Sequence, residues 1–145
     1  MNIKFKKLNE EAVTPTFGTN GAAAADLTAI SEHVDITSSG LTVTYDTGIA
    51  VEIPSGYVGL VFPRSSVSTN TTMVLGNSVG VIDSDYRGPI KFVFKDVAKG
   101  LSKKYKKGDR IGQLIILPIP VISFTEVNEL FDTVRNKGSF GSTGN

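Results

Sequence analysis

Hydrophobic and polar positions alternate in short runs along most of this 145-residue chain, and turn formers break the runs. Ile3 to Leu8 (IKFKKL) alternates apolar with basic residues, and Leu41 to Asp46 (LTVTYD) alternates as well. A period of two puts one face of a strand on a core. Gly48 to Ile53 stops at Pro54, and Tyr57 to Phe62 stops at Pro63. Met73–Leu75 and Val79–Ile82 flank Gly76-Asn77-Ser78, the arrangement of a hairpin with a tight tip. Ile90 to Val97 (IKFVFKDV) alternates strongly. Arg110 to Ile119 (RIGQLIILPI) is almost continuously apolar, as a strand buried on both faces is. Val121 to Val127 follows Pro120 as a last strand. Strands recurring roughly every 8–12 residues predict an all-β sandwich or barrel.

Helical period is weak. Ser65 to Thr72 fits one or two turns, with Ser65 as the cap and Pro63 just before it. No internal repeat or interdomain linker interrupts residues 1–134, which read as a single β-domain. Arg135 to Asn145 (RNKGSFGSTGN) has no packing pattern, and its glycines and serines predict a mobile C-terminal arm.

Composition narrows the chemistry. There is no Cys, which removes disulfides, a thiol nucleophile and thiolate metal ligands. The one histidine, His33, leaves no His-cluster zinc site and argues against a His-based triad. Fifteen basic and fourteen acidic residues give a net charge of +1, too little bias for a protein that lives on the nucleic-acid backbone. No apolar run approaches the roughly 18 residues that cross a bilayer. The N-terminus has positive charge but no apolar segment after it, so no signal peptide is expected. Catalysis is left to carboxylates, hydroxyls, Arg or Lys, or a hard metal held through oxygen.

Five segments carry such groups. In AAAADLTA (Ala22 to Ala29), Asp26 sits among small residues. It suits a turn or strand entry, or a ligand for a hard metal or its water. In PRSSVS (Pro63 to Ser68), Arg64 offers a fork of donors matched to phosphate, and Ser65 and Ser66 add hydroxyls. The same residues also read as an ordinary helix start. In GNSVGVIDSDYRGPI (Gly76 to Ile90), the tip offers backbone groups and the Asn77 amide to a base edge. Asp83 follows Val81 and Ile82, a setting for a partly desolvated general base. Tyr86 offers a flat ring to a sugar. Two successive turns explain the same residues without a ligand. In GDRIGQLII (Gly108 to Ile116), Gln113 is the polar residue in an apolar run and must find partners or a polar cavity. In the arm, Gly138, Gly141 and Gly144 permit close backbone approach, Arg135, Ser142 and Thr143 supply donors, and Phe140 supplies a stacking face. That composition suits a phosphate-binding lid over a flat base, the alternative being a disordered tail.

In this order and spacing the five segments resemble the five motifs of the trimeric dUTP pyrophosphatases (dUTPases), from Ala22 to Gly144. Ala24 to Ala29 matches A-x-D-L-x-A, Gly80 to Gly88 matches G-x-I-D-x-D-Y-R-G, and Gly108 to Leu114 matches G-D-R-I-x-Q-L. Pro63 to Ser66 matches P-R-S-G with Ser66 in place of Gly. Arg135 to Gly144 matches R-G-x-G-G-F-G-S-T-G with Asn136 and Ser139 in place of Gly. Pro89 removes a backbone donor just after the third motif.

The resemblance implies a β jelly-roll, sandwich-like subunit with one short helix. It implies a homotrimer in the cytoplasm, or in the host's cytoplasm for a viral source, whose three active sites are shared between subunits, the arm of one chain closing a site formed by its neighbours. It implies hydrolysis of dUTP to dUMP and pyrophosphate, which keeps uracil out of DNA and supplies dUMP for dTMP synthesis. Asp83 would deprotonate a water that attacks the α-phosphorus in line. Mg²⁺ would bridge phosphate oxygens, with Asp26 holding its waters. Arg64, Ser65, Ser66 and Gln113 would grip the phosphates, and Arg135, Gly141, Ser142 and Thr143 would reach them from the arm. Asn77, Val81 and Ile82 would pair with uracil, Tyr86 would pack on deoxyribose, Lys91 would touch the substrate, and Phe140 would stack on the base. No nucleic acid or membrane partner is implied. The rival readings are a dCTP deaminase-like enzyme and a non-catalytic trimeric regulatory or binding module.

Overall fold

Alternation becomes strand wherever a partner edge is at hand. The computed structural model describes residues 1–37, 40–98 and 105–139. Among them, the strands in chain order are β1 (Lys4–Lys7), β2 (Thr16–Phe17), β3 (Ala25–Thr28), β4 (Ser31–Thr37), β5 (Gly40–Asp46), β6 (Ile49–Glu52) and β7 (Tyr57–Pro63). Helix α1 (Ser65–Asn70) follows, then β8 (Met73–Leu75), β9 (Gly80–Ile82), β10 (Lys91–Asp96) and β11 (Arg110–Pro118). Two antiparallel sheets make the body, ordered β4-β5-β10-β8 and β2-β3-β11-β7-β9, and β1 pairs with β6. The expected jelly-roll, sandwich-like β fold with one short helix is what forms. No helix among the described residues is long and apolar enough to cross a membrane.

The core lies between the two sheets. Along β10 exposed and buried residues alternate without a break, so Phe92, Phe94 and Asp96 point inward. The Phe92 and Phe94 rings stack at 6.3 Å, and Tyr45 from β5 meets Phe94 edge-on at 5.9 Å. Leu27, Val61, Ile111 and Leu114 face them from the five-stranded sheet. Burying each such side chain stabilises by about 1.5–3 kcal/mol. The closest approach is at Gly112, where any Cβ would run into the Phe92 ring. The inward carboxylate of Asp96 accepts from Thr72 Oγ1 at 2.7 Å and from the Ala98 amide at 3.0 Å.

Four expectations need correction. Met73–Leu75 and Gly80–Ile82 do not form a hairpin: β8 pairs with β10 and β9 with β7, so the Gly76–Ser78 tip is a corner between sheets. Local turn chemistry marks the corner but cannot say that its two arms part. β11 is buried only in its first half, since Leu117 is exposed and Ile115 and Ile116 are half-buried. Val121 to Val127 is not a strand. Ile119 still donates to the Gly56 carbonyl at 2.8 Å, but beyond it Val121 (99% exposed) and Phe124 (94%) stand clear of the body. Residue Ser65 is not a cap: Arg64 holds the extended cap position, with no side-chain bond closing it. Strand β4 goes unseen in the pattern because SEHVDIT is exposed through Ile36 and is defined only by its register with β5.

Candidate active site

Three of the five segments converge on one carboxylate. β3, β11 and β7 are neighbours in the five-stranded sheet, and Arg64 directly follows β7. Gln113 lies opposite Asp26 across the β3/β11 pair. A bulge between Arg110 and Gly112 sets that register; without the extra residue Gly112 would stand there instead. Asp26 is only 6% exposed. Arg64 Nε donates to its Oδ1 at 3.1 Å, Gln113 Nε2 to the same oxygen at 3.3 Å, and Arg110 Nη1 to Oδ2 at 2.9 Å. A buried carboxylate is stable only when it is paired and hydrogen-bonded, and two guanidiniums supply both conditions. Three of its roughly four acceptor positions are thereby used, leaving one on Oδ2. Small neighbours make the burial possible, with Ala25 and Ala29 themselves buried. Gln113 finds its partner here rather than in the backbone.

The loop that opens β11 is locked to the loop that follows β3. Gly108 N donates to the Ala29 carbonyl at 2.8 Å, and Ala29 N donates to the Asp109 carbonyl at 2.9 Å. Asp109 Oδ2 accepts from Lys106 N at 2.8 Å and closes the turn. Ser65 is exposed at the start of α1, whereas Ser66 is half-buried and its Oγ accepts from the Tyr105 hydroxyl at 2.9 Å. Val67, fully buried, pins the helix to the core.

The third segment builds a separate hollow. Val81, Ile82, Asp83, Tyr86, Pro89, Ile90 and Lys91 line about 220 Å³. The Tyr86 hydroxyl donates to the Pro89 carbonyl at 3.0 Å, and its ring lies over Gly88, where a Cβ would collide with it. That glycine is what lets the ring settle into a fixed plane. Lys91 pairs with Asp46 at 3.3 Å and also borders an adjoining hollow of about 330 Å³ that holds Asn77. Asp83 is exposed in this chain, contrary to the partly desolvated setting expected from Val81 and Ile82. The strand before it is a three-residue edge strand, paired with β7 only, and it offers no second wall.

The two groups lie apart. Ile82 is opposite Gly59, so Asp83 and Arg64 are separated by roughly 15–20 Å of extended β7. Arg135 is bonded within its own turn. Its Nε donates to the Gly138 carbonyl at 3.2 Å, and Gly138 N donates back to the Arg135 carbonyl at 2.8 Å. Asn136 takes a φ of +40°, a conformation that Asn tolerates. Phe140, Gly141, Ser142 and Thr143 lie outside the described residues.

Sequence reasoning placed Arg110 at the head of a strand and gave it no role. The signal was available in principle, because a buried Asp26 demands a counter-charge and Arg110 precedes the strand that carries Gln113. Tyr105 had no local signal, since its partner is 39 residues away.

A family model described as dUTPase matches residues 10–144. A deoxyuridine 5'-triphosphate nucleotidohydrolase of Hydrogenobaculum sp. is 40% identical, with 99% of each chain covered. Among solved structures, a point mutant of the dUTPase of Staphylococcus bacteriophage 80alpha with dUpNHpp superposes with a TM-score of 0.82 at 29% identity, covering 99% of this chain and 98% of that one. A point mutant of the dUTPase from phage phi11 of S. aureus, described with a structural Mg(II) ion, superposes with a TM-score of 0.75 at 27% identity, covering 89% and 98%. The match spans the segments that meet at Asp26 and the hollow at Tyr86 alike, and the chain belongs to the dUTPase family.

Proposed function

We propose that this protein hydrolyses dUTP to dUMP and pyrophosphate. The observation that carries the reading is the convergence of Arg64, Arg110 and Gln113 on Asp26 within a chain of this family. Two guanidiniums held by one carboxylate form a rigid, net positive platform suited to a triphosphate. The hollow at Tyr86 takes the nucleoside: Asn77 and the backbone at Val81 and Ile82 read uracil, and Tyr86 packs on deoxyribose and leaves no space for a 2′-hydroxyl. Lys91 borders that hollow. Asp83 accepts the proton of a water as its oxygen bonds to the α-phosphorus. The bond from the α-phosphorus to the bridging oxygen breaks, and pyrophosphate leaves. A general base contributes about 10²–10⁴-fold. Positioning and charge supply the rest.

The donor set fits Mg²⁺. No cluster of three or more His, Cys, Asp or Glu among the described residues could hold a metal by itself. Asp26 keeps one acceptor position, which suits an ion that needs few protein ligands and retains its waters. An ion held there through the waters on Asp26 would supply positive charge to neutralise the phosphate oxygens.

The separation of Asp83 from Arg64 supports a site shared between chains, because one water cannot serve both groups of the same chain. The uncovered side chains of Val121, Ile122, Phe124, Val127, Leu130, Phe131 and Val134 support an assembly that covers them. The reading is a homotrimer working in the cytoplasm. Residues 1–134 form its body, and the arm from Arg135 onward closes a neighbour's site with Arg135, Phe140, Gly141, Ser142 and Thr143. Light scattering should give three chains per particle. Pyrophosphate release with Mg²⁺ should be fast from dUTP and slow from dCTP, dTTP and UTP. Release from none of them would overturn the reading.

A further inference from the structure

Tyr105 stands immediately before the turn that opens β11, and its side chain and its backbone are both tied. Its carbonyl accepts from the Tyr45 hydroxyl at 2.8 Å, and its hydroxyl donates to Ser66 Oγ at 2.9 Å. Tyr45 is fully buried against Phe94. Burial, with the Glu32 carboxylate adding to it, pushes the Tyr45 phenol up to about 12, so it remains a donor at any physiological pH. The next residue, Lys106, is held by Asp109, and Gly108 by Ala29. The phenol of Tyr105 is therefore a fixed post between the core and the start of α1.

Its partner is the residue at which this chain departs from P-R-S-G. A glycine there would have no hydroxyl to receive the bond. A phenol is more acidic than an aliphatic alcohol, so Tyr105 is the donor and Ser66 the acceptor. That leaves the Ser66 proton free to donate elsewhere, and accepting one bond while donating another polarises the hydroxyl. Ser66 is two residues beyond Arg64, whose guanidinium is on Asp26.

We infer that Tyr105 is a positioning residue for phosphate binding, aiming the Ser66 hydroxyl as a donor to the phosphate chain. The inference deepens the proposed function and rests on its assignment of the second segment to the phosphates. In this chain a side-chain donor takes part where the family pattern offers backbone alone.

The test is a double-mutant cycle with Tyr105→Phe, Ser66→Gly and the double variant, read as KM and kcat for dUTP and as Kd for the analogue dUpNHpp. Tyr105→Phe should raise KM and Kd roughly three- to tenfold, the loss of one ordinary hydrogen bond, with kcat within about twofold. In the Ser66→Gly background it should change both by less than about twofold. Ser66→Ala, which keeps the side-chain volume but removes the hydroxyl, should reproduce the rise and guards against misfolding of the phenylalanine variant. Unchanged KM and Kd in Tyr105→Phe, or in Ser66→Ala, would overturn the inference. So would an equal penalty with and without Ser66, which would mark Tyr105 as packing only. A wild-type chain that binds dUpNHpp in a Tyr105-dependent way but releases no pyrophosphate would sink the proposed function and leave this inference standing. Failure to bind the analogue at all would sink both.

Discussion

Arg110 Nη1 lies 2.9 Å from Asp26 Oδ2, across two neighbouring strands and 84 residues of chain. Arg110 is half-exposed while Asp26 is buried, so the pair spans the boundary between core and solvent. It makes the platform proposed for the phosphates part of the fold rather than an addition to it. Removing the carboxylate leaves Arg64 and Arg110 repelling each other at the edge of the core, without the charge that offsets them. Asp26→Ala should therefore lower unfolding free energy by about 1–3 kcal/mol in urea titrations. It should also lower kcat/KM for dUTP. Asp26→Asn, which keeps the shape, should lose less stability than Asp26→Ala and still lose activity. Equal stability of all three proteins would show that the ion pairs contribute nothing.

Asp83 is exposed and packs against little in one chain, so its substitution separates chemistry from folding. Asp83→Asn should lower kcat by about 10²–10⁴-fold with the melting temperature unchanged. Its affinity for dUpNHpp, followed by calorimetry, should stay within a few-fold of wild type. Turnover near the wild-type rate would move the general base elsewhere.

Gly112 is where the two sheets touch, through the Phe92 ring. Gly112→Ala should cost about 1–3 kcal/mol by overpacking. Phe92→Leu in the same chain should recover part of that loss, because the smaller side chain vacates the space. Thermal unfolding of the two single variants and the double variant reads the coupling.

Tyr45 titrates higher in the folded chain, at about 12, than its usual value of 10.0, chiefly because it is buried. A raised value favours the protonated folded state, so this contribution is full below pH 10 and is lost as pH rises toward 12. Urea unfolding between pH 10 and pH 12 should show a steeper fall for wild type than for Tyr45→Phe. Parallel curves would mean that the phenol is not what titrates.

Where a strand alternated strongly against the core, the chain announced it; β3, short and set among alanines, read only as a turn or strand entry. β10 was legible residue by residue, because Phe92 and Phe94 alternate with Lys91, Val93 and Lys95. The motif residues were legible as candidates only through the order and spacing of five segments, because each segment alone also suits a turn, a strand entry or a helix start. What depended on a distant partner was not legible. The parting of β8 from β9, the pairing of exposed β4 and the bond from Tyr105 to Ser66 are all decided by residues far away in sequence. Val121 to Val127 carried the pattern of a strand but pairs with no strand among the described residues.

The uncovered apolar side chains beyond Ile119 bear on how this protein must be handled. An assembly that covers them ties folding free energy to the number of chains per unit volume. The melting temperature should then climb with protein concentration, and simple dilution should act as a denaturant. A newly made chain would stay adhesive until it met its own kind, so its survival would depend on how many copies are made together.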